Sequence, residues 1–277
     1  MVSQTRISVI VPTTDMNRLR FLLKSLASQT LAPWEVIVVA KGVEIKVVES
    51  RCETYRLNCV VLEQKEGYFT KALNMGKSVA TGDIVVFTDD DAIALENWMK
   101  KYAKLFRLHD KNIGCISSND IYIDLPNLRL LPTTDDDPIV RFYRTLGRPI
   151  LEKPISPLRK YWCGVYIDRK FAVKHGPCIP GRESYSLPFR GVNMAFRREA
   201  IEDAAFPEHP LLKRAPGNEQ YVGLQLVLKG WDGIYTPKNP ILHMYRKESL
   251  SRTKKEELLK EKRIIERMYG ELLNVKT

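Results

Sequence analysis

No apolar run in the 277 residues approaches the roughly 20 needed to span a bilayer, and the opening MVSQTRISVIVPTT is too short in apolar residues for a signal peptide. A membrane-spanning protein is therefore not expected. Glycine-rich phosphate loops are missing as well. There is no GxxxxGK[ST], no GxGxxG after a strand-like run, and no glycine in VPTTDMNRLR where a sugar-nucleotide pyrophosphorylase needs a basic, glycine-rich loop. Cysteine is sparse: the five residues Cys52, Cys59, Cys115, Cys163 and Cys178 form no CxxC pair, so neither a zinc site nor a redox dithiol is expected. Their odd number and scatter read as reduced thiols in a cytoplasmic protein.

What is present is ordinary for a folded domain, with 44% apolar and 28% charged residues in a chain long enough for a large core. The net charge of +11 is spread along the chain without the interleaved aromatics of a nucleic-acid binder, so no nucleic-acid partner is expected. One dense block, MYRKESLSRTKKEELLKEKRIIERMYGELL, alternates charge sign and carries Leu258, Leu259, Ile264, Ile265, Met268, Leu272 and Leu273 at helical spacing. Such a helix either docks on the core or lies at an anionic membrane surface, and docking is the commoner outcome.

The first hundred residues alternate. ISVIVPT, WEVIVVAKG, CVVLEQ and GDIVVF are short apolar runs of the kind that form strands buried on both faces. Between them stand the helical patterns RLRFLLKSLASQT, FTKALNMGKSVATG (ending at Gly82) and ENWMKKYAKLFRLH. Alternation of this kind predicts crossover units and a mostly parallel sheet flanked by helices, an α/β fold. Residues 116–190 read as an irregular insertion rich in proline and arginine. Order returns with FRGVNMAFRREAI, the helix NEQYVGLQLVLKG, and two short strands in WDGIYTPKNPILHMY. The expected organisation is a domain over 1–245, with a nucleotide-binding half (1–115), the insertion (116–190) and an acceptor-side half (191–245), followed by the basic helix of 246–277.

Two copies of TDDD stand out. In an open parallel sheet ligands bind beyond the carboxyl ends of the strands, and Asp89, Asp90 and Asp91 follow Ile84–Phe87 directly. Three adjacent carboxylates repel one another unless a cation relieves them, and an oxygen-ligand ion such as Mg²⁺ or Mn²⁺ would do so while holding a diphosphate. The plainer possibility is that one of them caps the helix containing Trp98. The second copy, Thr134–Asp137, lies between Pro132 and Pro138, where capping of a helix starting at Pro138 explains it.

Taken in order, ISVIVPT, the QT after the first helix, WEVIVV, a glycine followed by KALNMGKSVATGD, FTDDDAI, GVNMAFRREAI, a glutamate ahead of LVLKGW, and YTPKNPILH resemble a family 2 glycosyltransferase of the GT-A fold over roughly residues 5–245. The resemblance implies an inverting transfer of sugar from a nucleotide-sugar donor, assisted by Mg²⁺ or Mn²⁺, to a glycan or lipid-phosphate acceptor. It implies that Asp89 and Asp90 lie at the ribose and diphosphate and that Asp91 (or Asp90) and His243 hold the metal. Glu219 would be the base. Pro12, Thr13, Lys41 and Lys71 would line the donor, with Asn193 and Met194 on the acceptor side.

Two departures from the family pattern bear on this. Gln220 replaces the second acid of the usual pair. Ala40-Lys41-Gly42 replaces the Asp-Asp-Gly-Ser stretch whose carboxylate reads uracil, and a lysine cannot accept the ring N–H. These departures keep open a non-catalytic protein of the same fold that binds sugar or nucleotide. Peripheral membrane contact through the terminal helix is the further expectation.

Overall fold

The computed structural model of the chain describes residues 5–133, 137–146, 152–246 and 255–274. Its first crossover units are β1 (Ile7–Thr13), α1 (Met16–Ala27), β2 (Glu35–Ala40), α2 (Ile45–Thr54), β3 (Cys59–Glu63), α3 (Phe69–Val79) and β4 (Ile84–Phe87). The apolar runs are strands because both sheet faces are covered. Val9, Val11, Val36 and Val38 pack into one cluster with Leu19 and Leu22 of α1. The alternate residues Ile10, Ile37 and Val39 pack into a second with Ala72 and Leu73 of α3.

The chain continues through β5 (Ala92–Ile93), α4 (Trp98–Leu108), β6 (Ile113–Ser117), β7 (Asp120–Asp124), β8 (Arg129–Leu131), α5 (Pro138–Leu146), β9 (Val165–Ile167), β10 (Val173–His175) and β11 (Ser184–Tyr185). It closes with β12 (Met194–Arg197), α6 (Arg198–Ile201), α7 (Asn218–Leu228), β13 (Asp232–Tyr235), β14 (Ile241–Met244) and α8 (Lys255–Asn274). The main sheet has eight strands in the order β11-β13-β6-β12-β4-β1-β2-β3. It is parallel at β1–β2, β1–β4, β2–β3 and β6–β13, and antiparallel where β12 lies between β4 and β6 and where β11 pairs β13. The mixed α/β fold expected from the alternation is the one observed. Not anticipated are two small sheets: β5-β14-β7-β8, and the pair β10-β9. The region read as irregular therefore contributes strands to both.

Several local readings change. The third helix stops at a cap on Ala80, while the Gly82 amide donates to Ser8 Oγ at 2.8 Å, so Gly82 is a close approach to β1 and not a helix cap. Helix α2 has no counterpart in the sequence reading. The expectation of five reduced thiols is overturned: Cys52–Cys59 and Cys163–Cys178 are disulfides, with Cα separations of 6.2 and 5.1 Å, and only Cys115 is free. Separations of 7 and 15 residues carry no sequence signature. The first pair joins α2 to β3 and the second joins two loops, which only the tertiary fold brings together. With four thiols paired, the cysteine argument for a reducing compartment falls away. Among the described residues no helix is long and apolar enough to cross a membrane.

The terminal helix docks. Ile265 and Tyr269 of α8 are buried in a third cluster with Leu224 of α7 and Tyr235 of β13. Its buried Glu261 accepts the backbone N–H groups of Arg214 (2.9 Å) and Ala215 (2.8 Å), and the Tyr269 hydroxyl donates to the Gly217 carbonyl at 2.7 Å. Ile264, Ile265, Met268, Leu272 and Leu273 of the apolar face are thus turned to the body, while Leu259 is exposed.

Candidate active site

The parallel strands β1, β2 and β4 end at one edge, and the first acidic triplet leaves β4 there. Helix α4 is preceded by Asn97 as its cap, so none of the three aspartates serves that role. A turn in which the Ala92 amide donates to the Asp89 carbonyl (3.2 Å) parts the middle side chain from the other two.

Asp90 turns toward α1. It accepts from Thr13 Oγ1 at 2.8 Å and from Arg18 Nε at 3.1 Å and Nη2 at 3.2 Å. Burial raises its pKa while the Arg18 and Thr13 bonds work against that rise. Asp90 therefore anchors the triplet to β1 and α1, and Pro12 and Thr13 end β1 next to it. Gln29, the glutamine of the QT pair, does the same for the following loop, donating to Leu95 O (2.8 Å) and accepting from Met99 N (3.1 Å).

Asp89 and Asp91 face His243 instead, and strand pairing is the reason. β14 pairs antiparallel with β5, setting His243 opposite Ala92, and parallel with β7, setting it beside Tyr122 and Ile241 beside Asp120. The Met244 amide donates to the Asp91 carbonyl at 2.8 Å, locking this register. One ligand atom from each of Asp89, Asp91 and His243 falls within 4.8 Å of the others. His243 Nε2 is 3.2 Å from Asp91 Oδ1 and Nδ1 is 2.8 Å from Asp120 Oδ2. Arg190 Nη1 donates to both Asp120 oxygens, at 2.8 and 3.0 Å. Arg246 Nη2 lies 2.6 Å from Asp91 Oδ2. Both Asp91 oxygens are buried and, despite these short ion-pair distances, neither accepts a well-directed hydrogen bond.

The protonation pattern follows from this crowding. Burial pushes Asp89 up to about 7, helped by the charge of Asp91 and opposed by His243. Burial acts on Asp91 and Asp120 too, but His243 together with Arg246 at Asp91 and Arg190 at Asp120 leaves both below the ordinary carboxylate value. For His243 burial favours the neutral ring, yet the carboxylates of Asp120 and Asp91 on either side prevail and raise it to about 10.

Two carboxylates and an imidazole suit Mg²⁺ or Mn²⁺, and a carboxylate on the far ring nitrogen is the usual support for a histidine ligand. The buried Asp91 oxygens lacking directed donors are what such an ion would satisfy. The residues present fit the group.

Glu219 opens α7 after Gly217, which has φ of 94°, a left-handed turn that favours glycine. Burial raises its pKa, opposed by its own backbone amide, by Gln220 and by the charge of Arg190. The charge of Arg190, which is bonded to Asp120, is thus felt at Glu219 as well. The Gln220 amide donates to the Pro188 carbonyl at 2.6 Å, which a second acid could not do.

On the β2 side, Lys41 Nζ donates to the Gly67 carbonyl at 2.5 Å and sits 5.6 Å from the centre of the Tyr68 ring. Lys71 stands in the first turn of α3, its stem packed over Gly67. Asn193 and Met194 do not line an acceptor surface: both side chains are fully buried. Met194 packs in the core beside Phe87. Asn193 Oδ1 accepts from Trp98 Nε1 (2.9 Å) and Tyr102 OH (2.6 Å), and Nδ2 donates to the carbonyls of Asn119 (2.8 Å) and Asn239 (2.9 Å). All four bonding positions are used, joining α4 to the loops before β7 and β14. Asn193→Ala would strand several buried groups and is expected to lower stability by at least about 3 kcal/mol in urea unfolding.

Arg18, Asp120, Arg190 and Arg246 were missed in the sequence reading. Arg190 directly precedes the GVN segment, a position that could have drawn notice; the others carry no local signal.

The sequence model of glycosyl transferase family 2 matches residues 8–163, more than half of the chain. A curated relative, the uncharacterized glycosyltransferase YwdF of Bacillus subtilis (strain 168), is 31% identical over 101 residues, covering 36% of this chain and 37% of its own length. Among solved structures, the mannosyltransferase PcManGT from Pyrobaculum calidifontis, determined with GDP-Man and Mn²⁺, superposes with a TM-score of 0.59 at 20% identity over 90% of this chain and 59% of that one. S. aureus TarS 1-349 in complex with UDP-GlcNAc gives 0.59 at 19% identity over 94% and 65%. GalNAc-T7 with UDP, GalNAc and Mn²⁺ gives 0.63 at 15% over 90% and 45%. The chain spans under two thirds of each of these proteins. Fold and family agree, and the chain belongs to glycosyl transferase family 2, with a GT-A fold.

Proposed function

We propose that the chain is an inverting glycosyltransferase that moves a sugar from a nucleotide-sugar donor to a hydroxyl of a glycan or lipid-phosphate acceptor. The observation that carries this reading is the convergence of Asp89, Asp91 and His243 at the end of β4, in a cluster braced by Asp120 and Arg190. Mn²⁺ or Mg²⁺ bound there would neutralise the charge that develops on the departing diphosphate.

The protein's own residues do the rest. Asp120 fixes the His243 ring, and Arg18 with Thr13 fixes the triplet, so the ligand set is held by its surroundings. Glu219, as carboxylate, takes the proton of the acceptor hydroxyl while that oxygen bonds to the anomeric carbon and the bond to the diphosphate breaks with its electrons. A carboxyl raised by burial holds a proton more readily than an exposed one, which suits a base. Lys41, Tyr68 and the end of β1 form the donor side of the same edge. Lys41 offers only N–H groups, so an imide N–H of a base must find its acceptor elsewhere.

The relatives solved with GDP-Man or UDP-GlcNAc support a nucleotide-sugar donor without choosing its base. The test is a thermal-shift screen of nucleoside diphosphates with and without Mn²⁺, followed by incubation with the matching nucleotide sugars. Stabilisation grows as ligand exceeds Kd, so one diphosphate is expected to raise Tm only when Mn²⁺ is present, and its sugar derivative to release it. Metal-dependent binding without release under any acceptor would favour the non-catalytic binding protein. No metal-dependent binding at all would sink both.

A further inference from the structure

Both oxygens of Asp91 already face protein cations or their equivalents: His243 Nε2 at Oδ1, and the Arg246 guanidinium 2.6 Å from Oδ2. The Asp91 side chain is 1% exposed and Arg246 is 35% exposed. A hard divalent ion on Asp91 needs a carboxylate oxygen at about 2.1 Å. Of the two neighbours, His243 has a ring nitrogen able to ligate, so it stays as the ion arrives. Arg246 has five N–H donors and no lone pair to offer, so it can never be a ligand. A guanidinium on Oδ2 and an ion shared by Asp89, Asp91 and His243 would be like charges a few ångströms apart in a poorly screened place. They exclude each other, and the half-exposed Arg246 is the one with solvent to move into.

The rest of the cluster shows why such a residue is there. Arg18 is paired to Asp90, and Arg190 to Asp120. Each buried carboxylate around the site thus has an arginine of its own, apart from Asp89, which keeps part of its surface open. Arg18 and Arg190 hold residues outside the ligand set. Arg246 alone of the three sits on a ligand. We propose that Arg246 is a resident counter-cation that occupies Asp91 when no divalent ion is bound, keeping the acidic edge folded without metal and competing directly with the ion. The consequence is a site that binds free metal weakly by construction. The ion then enters most readily with a nucleotide that brings oxygen ligands of its own.

This inference rests on the metal reading of Asp89, Asp91 and His243, and the test separates the two. Mn²⁺ binding is measured by electron paramagnetic resonance on the intact protein without nucleotide, for wild type, Arg246→Gln, Arg246→Lys and the control Arg6→Gln. Arg6 pairs with the exposed Asp83, away from the site. Arg246→Gln is expected to bind Mn²⁺ about tenfold more tightly, with Arg246→Lys close to wild type and Arg6→Gln unchanged. In chelator, Arg246→Gln should melt several degrees below wild type, a gap that closes in saturating Mn²⁺. A variant that unfolds only after chelation is the same result at its extreme. Equal or weaker Mn²⁺ binding by Arg246→Gln, or unfolding even in saturating Mn²⁺, overturns the role of Arg246 alone. Binding of Mn²⁺ by none of the proteins overturns the metal site itself and the inference with it.

Discussion

Asp91→Ala is expected to abolish the Mn²⁺-dependent stabilisation by nucleoside diphosphate, weakening metal-dependent binding by more than about 100-fold, whereas Asp137→Ala leaves it intact. The contrast compares the two copies of the same tetrapeptide. Asp91 offers a ligand atom to the cluster with Asp89 and His243, and no neighbouring carboxylate stands ready to replace it, since Asp90 is tied to Arg18 and Asp120 to Arg190. Asp137 accepts from the amides of Ile139 (2.7 Å) and Val140 (3.3 Å), the cap expected for a helix starting at Pro138. Its loss should cost about 1 kcal/mol of stability and nothing in nucleotide binding. Thr134, Asp135 and Asp136 lie outside the described residues. Because Asp91→Ala also removes one partner of His243 and of Arg246, Asp91→Asn is the companion variant: it keeps the volume and removes the charge. Circular dichroism without metal separates lost folding from lost binding. Retention of metal-dependent stabilisation in Asp91→Asn would remove Asp91 from the ligand set.

The second large effect is at Glu219. Glu219→Gln is expected to lower kcat by about 10²- to 10⁴-fold, the range for a positioned general base, with nucleotide Kd unchanged. The unusual part of the expectation concerns stability. Burial disfavours the charged form of this carboxyl, so replacing it with a neutral group of the same shape should not lower Tm. A catalytic loss without a folding loss is a signature that a merely structural acid would not give. The pH profile adds a third readout. A general base works only when ionised, and the Glu219 pKa lies above the ordinary glutamate value, so activity should fall with decreasing pH sooner than for an exposed glutamate. Transfer retained within a few-fold in Glu219→Gln would move the base to another carboxylate.

The strands β1, β2 and β4 were legible because residues buried on both faces must be apolar at every position, and helices α1, α3 and α4 because their apolar faces recur at helical spacing. The two triplets already differ in position in the sequence, one at the end of a buried strand and one between prolines. Which way each aspartate turns was not legible. That depends on Arg18 from α1 capturing Asp90, and on a four-residue strand setting His243 against Ala92, contacts separated by 72 or more positions in the chain. Asn193 misled for a different reason. The family resemblance set it on the acceptor side, and only the packed structure reveals four buried partners around it. The cysteine pairs failed likewise, since proximity in space left no trace in spacing.

The grip of α8 on the loop before α7 has a consequence for the order of events during synthesis. Every strand of the main sheet, the acidic triplet, His243 and Glu219 itself leave the ribosome before Glu261 and Tyr269 do. A nascent chain can therefore begin to pair these strands while the turn at Arg214–Gly217, just ahead of Glu219, is still unheld. On the proposed function, the residues that would bind donor are made before the helix that steadies the turn leading to Glu219.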